Sequence, residues 1–140
     1  MKRLFATFSV IGSLVAGAAL GLGATLGASP AVAEEKPSHP DTAAGVEAVK
    51  RGDFKAAFAL FRNRAAKGDT EAQFELGMLY ALGNGVDRDY VAAYMWTEIA
   101  AQQNEPYADF IRDEVAANMK PPEIASARRE ANAWMRQNGK

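Results

Sequence analysis

The sequence predicts an all-α protein, a short right-handed solenoid of helix hairpins with about six helices, and two patterns support this. Apolar residues recur at helical spacing from Thr42 almost to the end of the 140-residue chain, without the alternation typical of strands. A shift of 36 residues also superimposes residues of similar type. The pairs include Asp53 with Asp89, Phe54 with Tyr90, Phe58 with Tyr94 and Gly68 with Asn104. A period of this length indicates stacked helical hairpins.

The first 33 residues have the pattern of a secretory signal peptide. Lys2 and Arg3 precede an uncharged stretch, and Ala31-Val32-Ala33 fits a signal peptidase site before Glu34. The pattern predicts cleavage between Ala33 and Glu34 and a periplasmic or secreted location. The alternative is an uncleaved membrane anchor, because the apolar stretch is long enough to span a bilayer.

The remaining 107 residues are expected to form one small domain. They carry 14 Lys+Arg and 17 Asp+Glu, a formal charge of −3, without the clustered positive charge that nucleic acid binding requires. The chain has no cysteine, so disulfides, thiol catalysis and thiolate metal sites are excluded. Pro37 and Pro40 predict a flexible tether over residues 34–41, followed by a helical repeat domain over residues 42–140.

Glycine, aspartate and proline divide the domain into its expected helices. These helices span residues 42–51, 54–67, 70–82, 90–102, 107–119 and 123–137. Gly52-Asp53 separates the first two, and Asp89 is placed to cap the fourth. The third is apolar on two faces, which predicts helix neighbours on both sides. Pro122 opens the sixth, whose single apolar stripe predicts a C-terminal cap helix.

The third and fourth helices resemble a Sel1-like repeat, a relative of the tetratricopeptide repeat. The matching residues are Ala72, Leu76, Gly77, Tyr80, Gly83, Gly85, Val86, Asp89, Ala93, Trp96, Ala100 and Ala101. Gly77 is expected to let two helices approach closely, and Gly83 and Gly85 to supply positive φ in the turn. Tyr80 is expected to pack across the hairpin, and Trp96 to be a large core anchor. The resemblance covers residues 70–104, and the flanking helices fit it less closely.

The resemblance implies an exported protein–protein interaction adaptor. In this family relationship the first helix of each hairpin lines a short concave groove that receives a peptide or a partner helix. Candidate contacts lie on the third and fifth helices, where an ordinary solvated role is equally open. They are Gln73, Glu75, Tyr107, Asp109 and Arg112. The alternative function is a structural or oligomerisation module that assists cell-envelope assembly.

Aromatic residues of the later helices allow a second interpretation. Tyr94, Tyr107, Phe110 and Trp134 could form a ligand-binding patch, but aromatic residues at helical spacing are more often part of a core. Tyr107 is the expected exception, because it opens a helix directly after Pro106.

No enzyme chemistry is expected from this sequence. His39 is the single histidine and lies in the predicted tether, where it is expected to be solvated and without metal or catalytic companions. Asp87 and Asp89 could act as a carboxylate pair or bind calcium, but capping by Asp89 is the simpler explanation. The Gly83–Gly85 segment lacks the lysine of a phosphate loop. We therefore expect no metal, no cofactor, no nucleic acid and no small-molecule substrate.

Overall fold

The computed structural model describes residues 38–139, and every regular element in this part of the chain is an α-helix. The helices are α1 (Pro40–Lys50), α2 (Phe54–Ala66), α3 (Thr70–Leu82), α4 (Tyr90–Gln102), α5 (Ala108–Ala116) and α6 (Pro121–Asn138). The all-α prediction is confirmed, with six helices. None of these helices is both long and apolar enough to cross a bilayer. The predicted signal peptide and residues 34–37 of the predicted tether lie outside the described residues.

The first helix begins at Pro40, two residues before the expected start at Thr42. Proline suits the first turn of a helix, because its fixed φ is already helical and its missing N–H has no partner there. The Nδ1 atom of His39 accepts a hydrogen bond from the backbone N–H of Asp41 at 3.1 Å. His39 is exposed, as predicted, and its imidazole also caps α1, which the sequence did not indicate.

Three aspartates begin the next helices in the same way. The carboxylates of Asp53, Asp69 and Asp89 each accept a hydrogen bond from the backbone N–H three residues later, at 3.0–3.2 Å. These N-caps satisfy donors that a helix leaves unpaired in its first turn. Gly68 and Asn104, which the 36-residue shift aligns, both have positive φ, +87° and +61°. The internal period is thus visible in the backbone as well as in the sequence.

The helices pack mainly in chain order. α1 lies against α2, α2 against α3 and α3 against α4, so α3 has the neighbours on both sides that its two apolar faces predict. The end of the array is different, because α5 and α6 both pack on α4 and have little contact with each other. α4 is therefore the central helix of the second half of the array.

Two apolar clusters form the core. The first joins α1, α2 and α3 around Phe61 and Leu76, and the second joins α3 to α6 around Tyr94 and Val115. Tyr80 contacts both clusters, and its ring meets that of Phe58 edge-on with centroids 5.5 Å apart. This confirms that Tyr80 packs across helices and joins two parts of the core.

Close approach of α3 and α4 depends on Gly77. A Cβ atom at this position would lie 2.7 Å from Cγ2 of Thr97 and 3.2 Å from the carbonyl oxygen of Ala93. Real side chains do not approach so closely, so the predicted role of Gly77 is confirmed. The repeat positions Ala72, Leu76 and Ala93 are fully buried around this contact.

The loop between α3 and α4 uses the two predicted glycines. Gly83 and Gly85 have φ of +71° and +73°, in the left-handed region that glycine adopts without strain. Gly85 also lies directly against the backbone carbonyl of Phe54, where a Cβ atom would collide. The loop therefore closes the hairpin and at the same time contacts the start of α2.

Candidate functional site

The five predicted partner-contact residues do not form one open surface. Gln73 is fully buried, its amide donating to the carbonyl of Ala65 at 3.2 Å and its Oε1 accepting from Gln103 at 2.6 Å. The prediction that Gln73 contacts a partner is therefore wrong. The carbonyl of Ala65 is in the last turn of α2, where it also accepts a hydrogen bond from the backbone N–H of Gly68 at 3.0 Å. Sequence alone gives no signal that this carbonyl faces α3.

Arg112 is also committed to contacts inside the protein. Its guanidinium lies between Glu98 at 3.1 Å, Asp109 at 2.8 Å and Asp113 at 2.8 Å. Glu98 is almost fully buried and accepts a second hydrogen bond from Gln102 at 3.0 Å. A buried carboxylate needs such partners, so Arg112 ties α5 to α4 and is not an open cation for a ligand. Of this group Asp109 and Asp113 are the exposed members, with 75% and 70% of their side chains accessible.

Of the other predicted residues, Tyr107 is exposed and Glu75 is partly buried, and both belong to a surface that we call the acidic–aromatic face. It comprises Glu71, Glu75, Glu105, Tyr107 and Phe110. Tyr107 is 76% exposed and Phe110 49%, and they are the large apolar side chains that stand out on the described surface. Phe110 thus differs from its expected core position, whereas Tyr94 is buried as expected. Exposed aromatic side chains of this kind often mark binding sites.

Tyr107 is held in an unusual backbone conformation. Its φ of +64° lies in the left-handed region, and it precedes α5 without a side-chain hydrogen bond to the helix. For a bulky residue this conformation is strained, typically by about 1–3 kcal/mol. The strained residue is thus also the most exposed aromatic one, and such coincidences occur at binding sites more often than elsewhere.

Glu75 carries the clearest electrostatic signature of the face. Partial burial, and then the neighbouring charges of Glu71 and Glu105, raise its pKa from 4.5 to about 7. The same interactions show that these three carboxylates, from α3 and from the segment before α5, are close enough to repel one another. A cation placed among them would relieve that repulsion.

A second surface, which the sequence did not predict, is a groove between α2 and α6. We call it the α2–α6 groove. Its lining residues are Arg62, Asn63, Ala66, Lys67, Gly68, Leu76, Tyr80, Trp96, Gln102, Gln103, Trp134, Met135, Asn138 and Gly139. The larger part has a volume of about 580 Å³ and the adjoining part about 370 Å³. Lys67 and Trp134 line both parts, so the groove is continuous.

Two tryptophans line this groove. The rings of Trp96 on α4 and Trp134 on α6 meet edge-on, with centroids 5.8 Å apart and an interplanar angle of 67°. Both are only half-buried. Trp96 was expected to be a core anchor, but it covers the edge of the first apolar cluster and leaves one side to solvent. A helical wheel shows spacing within one helix and cannot show whether another helix covers that face.

Neither surface has the composition of a metal centre. Among residues 38–139, no three His, Asp or Glu side chains are grouped so that they could hold a metal ion. Asp89 caps α4 through the N–H of Ala92, as the simpler sequence interpretation holds. The two surfaces offer aromatic contacts and charge, which is what recognition of another macromolecule uses.

Comparison with known proteins identifies one part of the chain. The sequence pattern of the Sel1 repeat family matches residues 70–105. No curated protein and no solved structure matches the chain. Repeats of this family generally mediate protein–protein interaction and are typically non-catalytic. Residues 70–105, which form α3, α4 and the loops that follow them, are therefore a Sel1 repeat.

Proposed function

We propose that this protein is an exported adaptor, periplasmic or secreted after cleavage near Glu34, that binds a segment of another protein on the acidic–aromatic face. It has no catalytic role of its own. The observation that carries the proposal is Tyr107, an aromatic residue that is 76% exposed, conformationally strained and next to a cluster of carboxylates. The Sel1 repeat supports it, since α3 supplies one side of this face.

The chemistry of the face defines the kind of segment that it would bind. Glu71, Glu75 and Glu105 supply negative charge, while Tyr107 and Phe110 supply apolar area. A segment with Lys or Arg beside apolar side chains matches both. On binding, its cation would stabilise the ionised form of Glu75, whose pKa is about 7 in the free protein. Binding should therefore strengthen as the pH rises from 6 to 8. At higher pH a smaller fraction of Glu75 is protonated and has to release its proton when the cation binds.

The test is photo-crosslinking in the native cell envelope with a photoreactive amino acid at position 107. We expect a discrete adduct with one other protein. The matched position is Arg129, which is exposed on α6 and outside both surfaces, and it should give no such adduct. An adduct with a second copy of the chain would instead support the structural or oligomerisation module. Equal adducts from positions 107 and 129 would exclude the acidic–aromatic face as the binding surface.

A second variant separates binding from folding. Tyr107→Asn removes the aromatic ring, and asparagine tolerates positive φ far better than tyrosine. The variant should be as stable as the wild type, or more so, and should lose its partner. Because position 107 is changed in this variant, the photoreactive residue is placed at position 109 instead. If Tyr107→Asn still crosslinks to the partner at wild-type yield, the proposal is wrong.

A further inference from the structure

The α2–α6 groove is open because the array ends irregularly. α6 packs on α4, and α2 packs on α1 and α3, so no helix of residues 38–139 fills the space between α2 and α6. The floor of this space is apolar, with Leu76 and Tyr80 from α3 and Trp96 from α4. The groove lies outside the acidic–aromatic face, since the two surfaces have no residue in common.

The tryptophan pair gives the groove both apolar area and hydrogen-bond donors. The edge-on contact fixes the two indoles against each other, so little side-chain entropy is lost when a ligand packs on them. No hydrogen bond from either indole N–H occurs within residues 38–139. Tryptophan is among the residue types that most often dominate the binding energy of an interface.

The charge of the groove is opposite to that of the protein. The exported chain has a formal charge of −3, yet the lining contains two cations, Arg62 and Lys67, and no carboxylate. Both side chains are exposed, and neither forms an ion pair within the described part of the chain. A cationic rim beside an aromatic floor fits a ligand with a carboxylate next to an aromatic or long apolar side chain.

We propose that the α2–α6 groove is a second interaction site, which binds a short acidic–apolar segment of another protein. An apolar side chain of that segment packs on Trp96 and Trp134, and its neighbouring Asp or Glu pairs with Arg62 or Lys67. Because the ion pairs lie at a solvent-exposed rim, their contribution weakens as salt is added. The protein thus has two sites of opposite charge, one for a basic segment and one for an acidic segment.

The experiment selects phage-displayed random 12-residue peptides on the purified protein. We expect the enriched peptides to contain Asp or Glu beside Trp, Phe or Leu. The best peptide is then synthesised with a fluorescent label, and its affinity is measured by fluorescence polarisation. Arg62→Glu with Lys67→Glu should weaken binding at least tenfold, because it reverses the charge of the rim. The matched control is Lys55→Glu with Arg129→Glu, which makes the same charge change outside the groove and should alter affinity less than twofold.

The remaining outcomes count against the proposal. It is wrong if no acidic–apolar peptide is enriched, or if the rim variant and its control bind the peptide equally. It is also wrong if Tyr107→Asn, and not the rim variant, abolishes binding, since the peptide then occupies the acidic–aromatic face. The last measurement is sedimentation of the unliganded protein, which shows whether it self-associates. Self-association that only the rim variant abolishes would assign the groove to a second copy of the chain. Circular dichroism verifies that all variants remain helical.

Discussion

The ionised side chain of Glu75 should lower the free energy of unfolding at neutral pH, and replacing Glu75 with glutamine should raise it again. Its pKa is raised from 4.5 to about 7, first by burial and then by Glu71 and Glu105. Between these values the folded state binds more protons than the unfolded state, so the free energy of unfolding falls as the pH rises. The penalty from Glu75 is absent below pH 4.5 and fully present above pH 7.

The size of the effect follows from the pKa difference. One pKa unit corresponds to about 1.4 kcal/mol, so the shift from 4.5 to about 7 corresponds to about 3 kcal/mol at most. Water reaches part of this side chain, so we expect the measured difference in the free energy of unfolding to be smaller. Glu75→Gln keeps the shape and removes the charge. We therefore expect it to raise the free energy of unfolding by about 1–3 kcal/mol at pH 8 and to have little effect at pH 4.5.

The assay is urea unfolding followed by circular dichroism at both pH values. Glu130→Gln on the exposed side of α6 is the control, and it should change stability equally at both pH values. Glu71→Gln should recover only a smaller part of the effect, since burial is the largest cause of the shift at Glu75. A Glu75→Gln variant that is no more stable at pH 8 than the wild type would refute this explanation.

Four further variants test the packing of the array by the same unfolding assay. Gly77→Leu should lower the free energy of unfolding by about 1–3 kcal/mol, since its side chain has no space between α3 and α4; an unchanged midpoint would show that the helices can separate. Trp96→Ala should cost about 3 kcal/mol, at the lower end for tryptophan because the ring is half-buried; a loss below 1 kcal/mol would exclude a role in core packing. Arg112→Ala should cost about 2 kcal/mol by leaving the carboxylate of Glu98 without its cation, and the loss should shrink when Glu98 is also changed to Gln. His39→Ala should cost about 0.5 kcal/mol through the lost cap of α1; amide exchange in α1 equal to that of the wild type would contradict this.

The helices could be predicted from sequence because their ends are local. Three aspartates each accept a hydrogen bond from a backbone N–H only three residues away: Asp53, Asp69 and Asp89. The residues that start each of these helices therefore lie within a short stretch of chain. The close contact at Gly77 was also accessible, because the repeat pattern requires a small residue where two helices meet. Capping residues and apolar periodicity can be recognised in a sequence directly, so helix positions can be predicted from them.

The surfaces were harder to predict because they depend on which helices are neighbours. Gln73 looks exposed on a helical wheel, yet its amide is buried and donates a hydrogen bond to the carbonyl of Ala65 at the end of α2. Trp134 looks like core, yet no helix in the described part of the chain covers the groove that it lines. Both errors arise because periodicity shows which face of a helix is polar but not what lies opposite that face.

The contact between Gly85 and the carbonyl of Phe54 has a consequence for how the chain can come apart. In a solenoid whose hairpins touch only along their helices, a terminal hairpin can peel away while the rest stays folded. Here the loop of the Sel1 repeat presses on the first residue of α2, and the carboxylate of Asp69 accepts a hydrogen bond from Thr42 of α1 at 2.8 Å. Separating α1 and α2 from the rest of the chain must therefore break both contacts. We expect the first two helices to unfold together with the repeat.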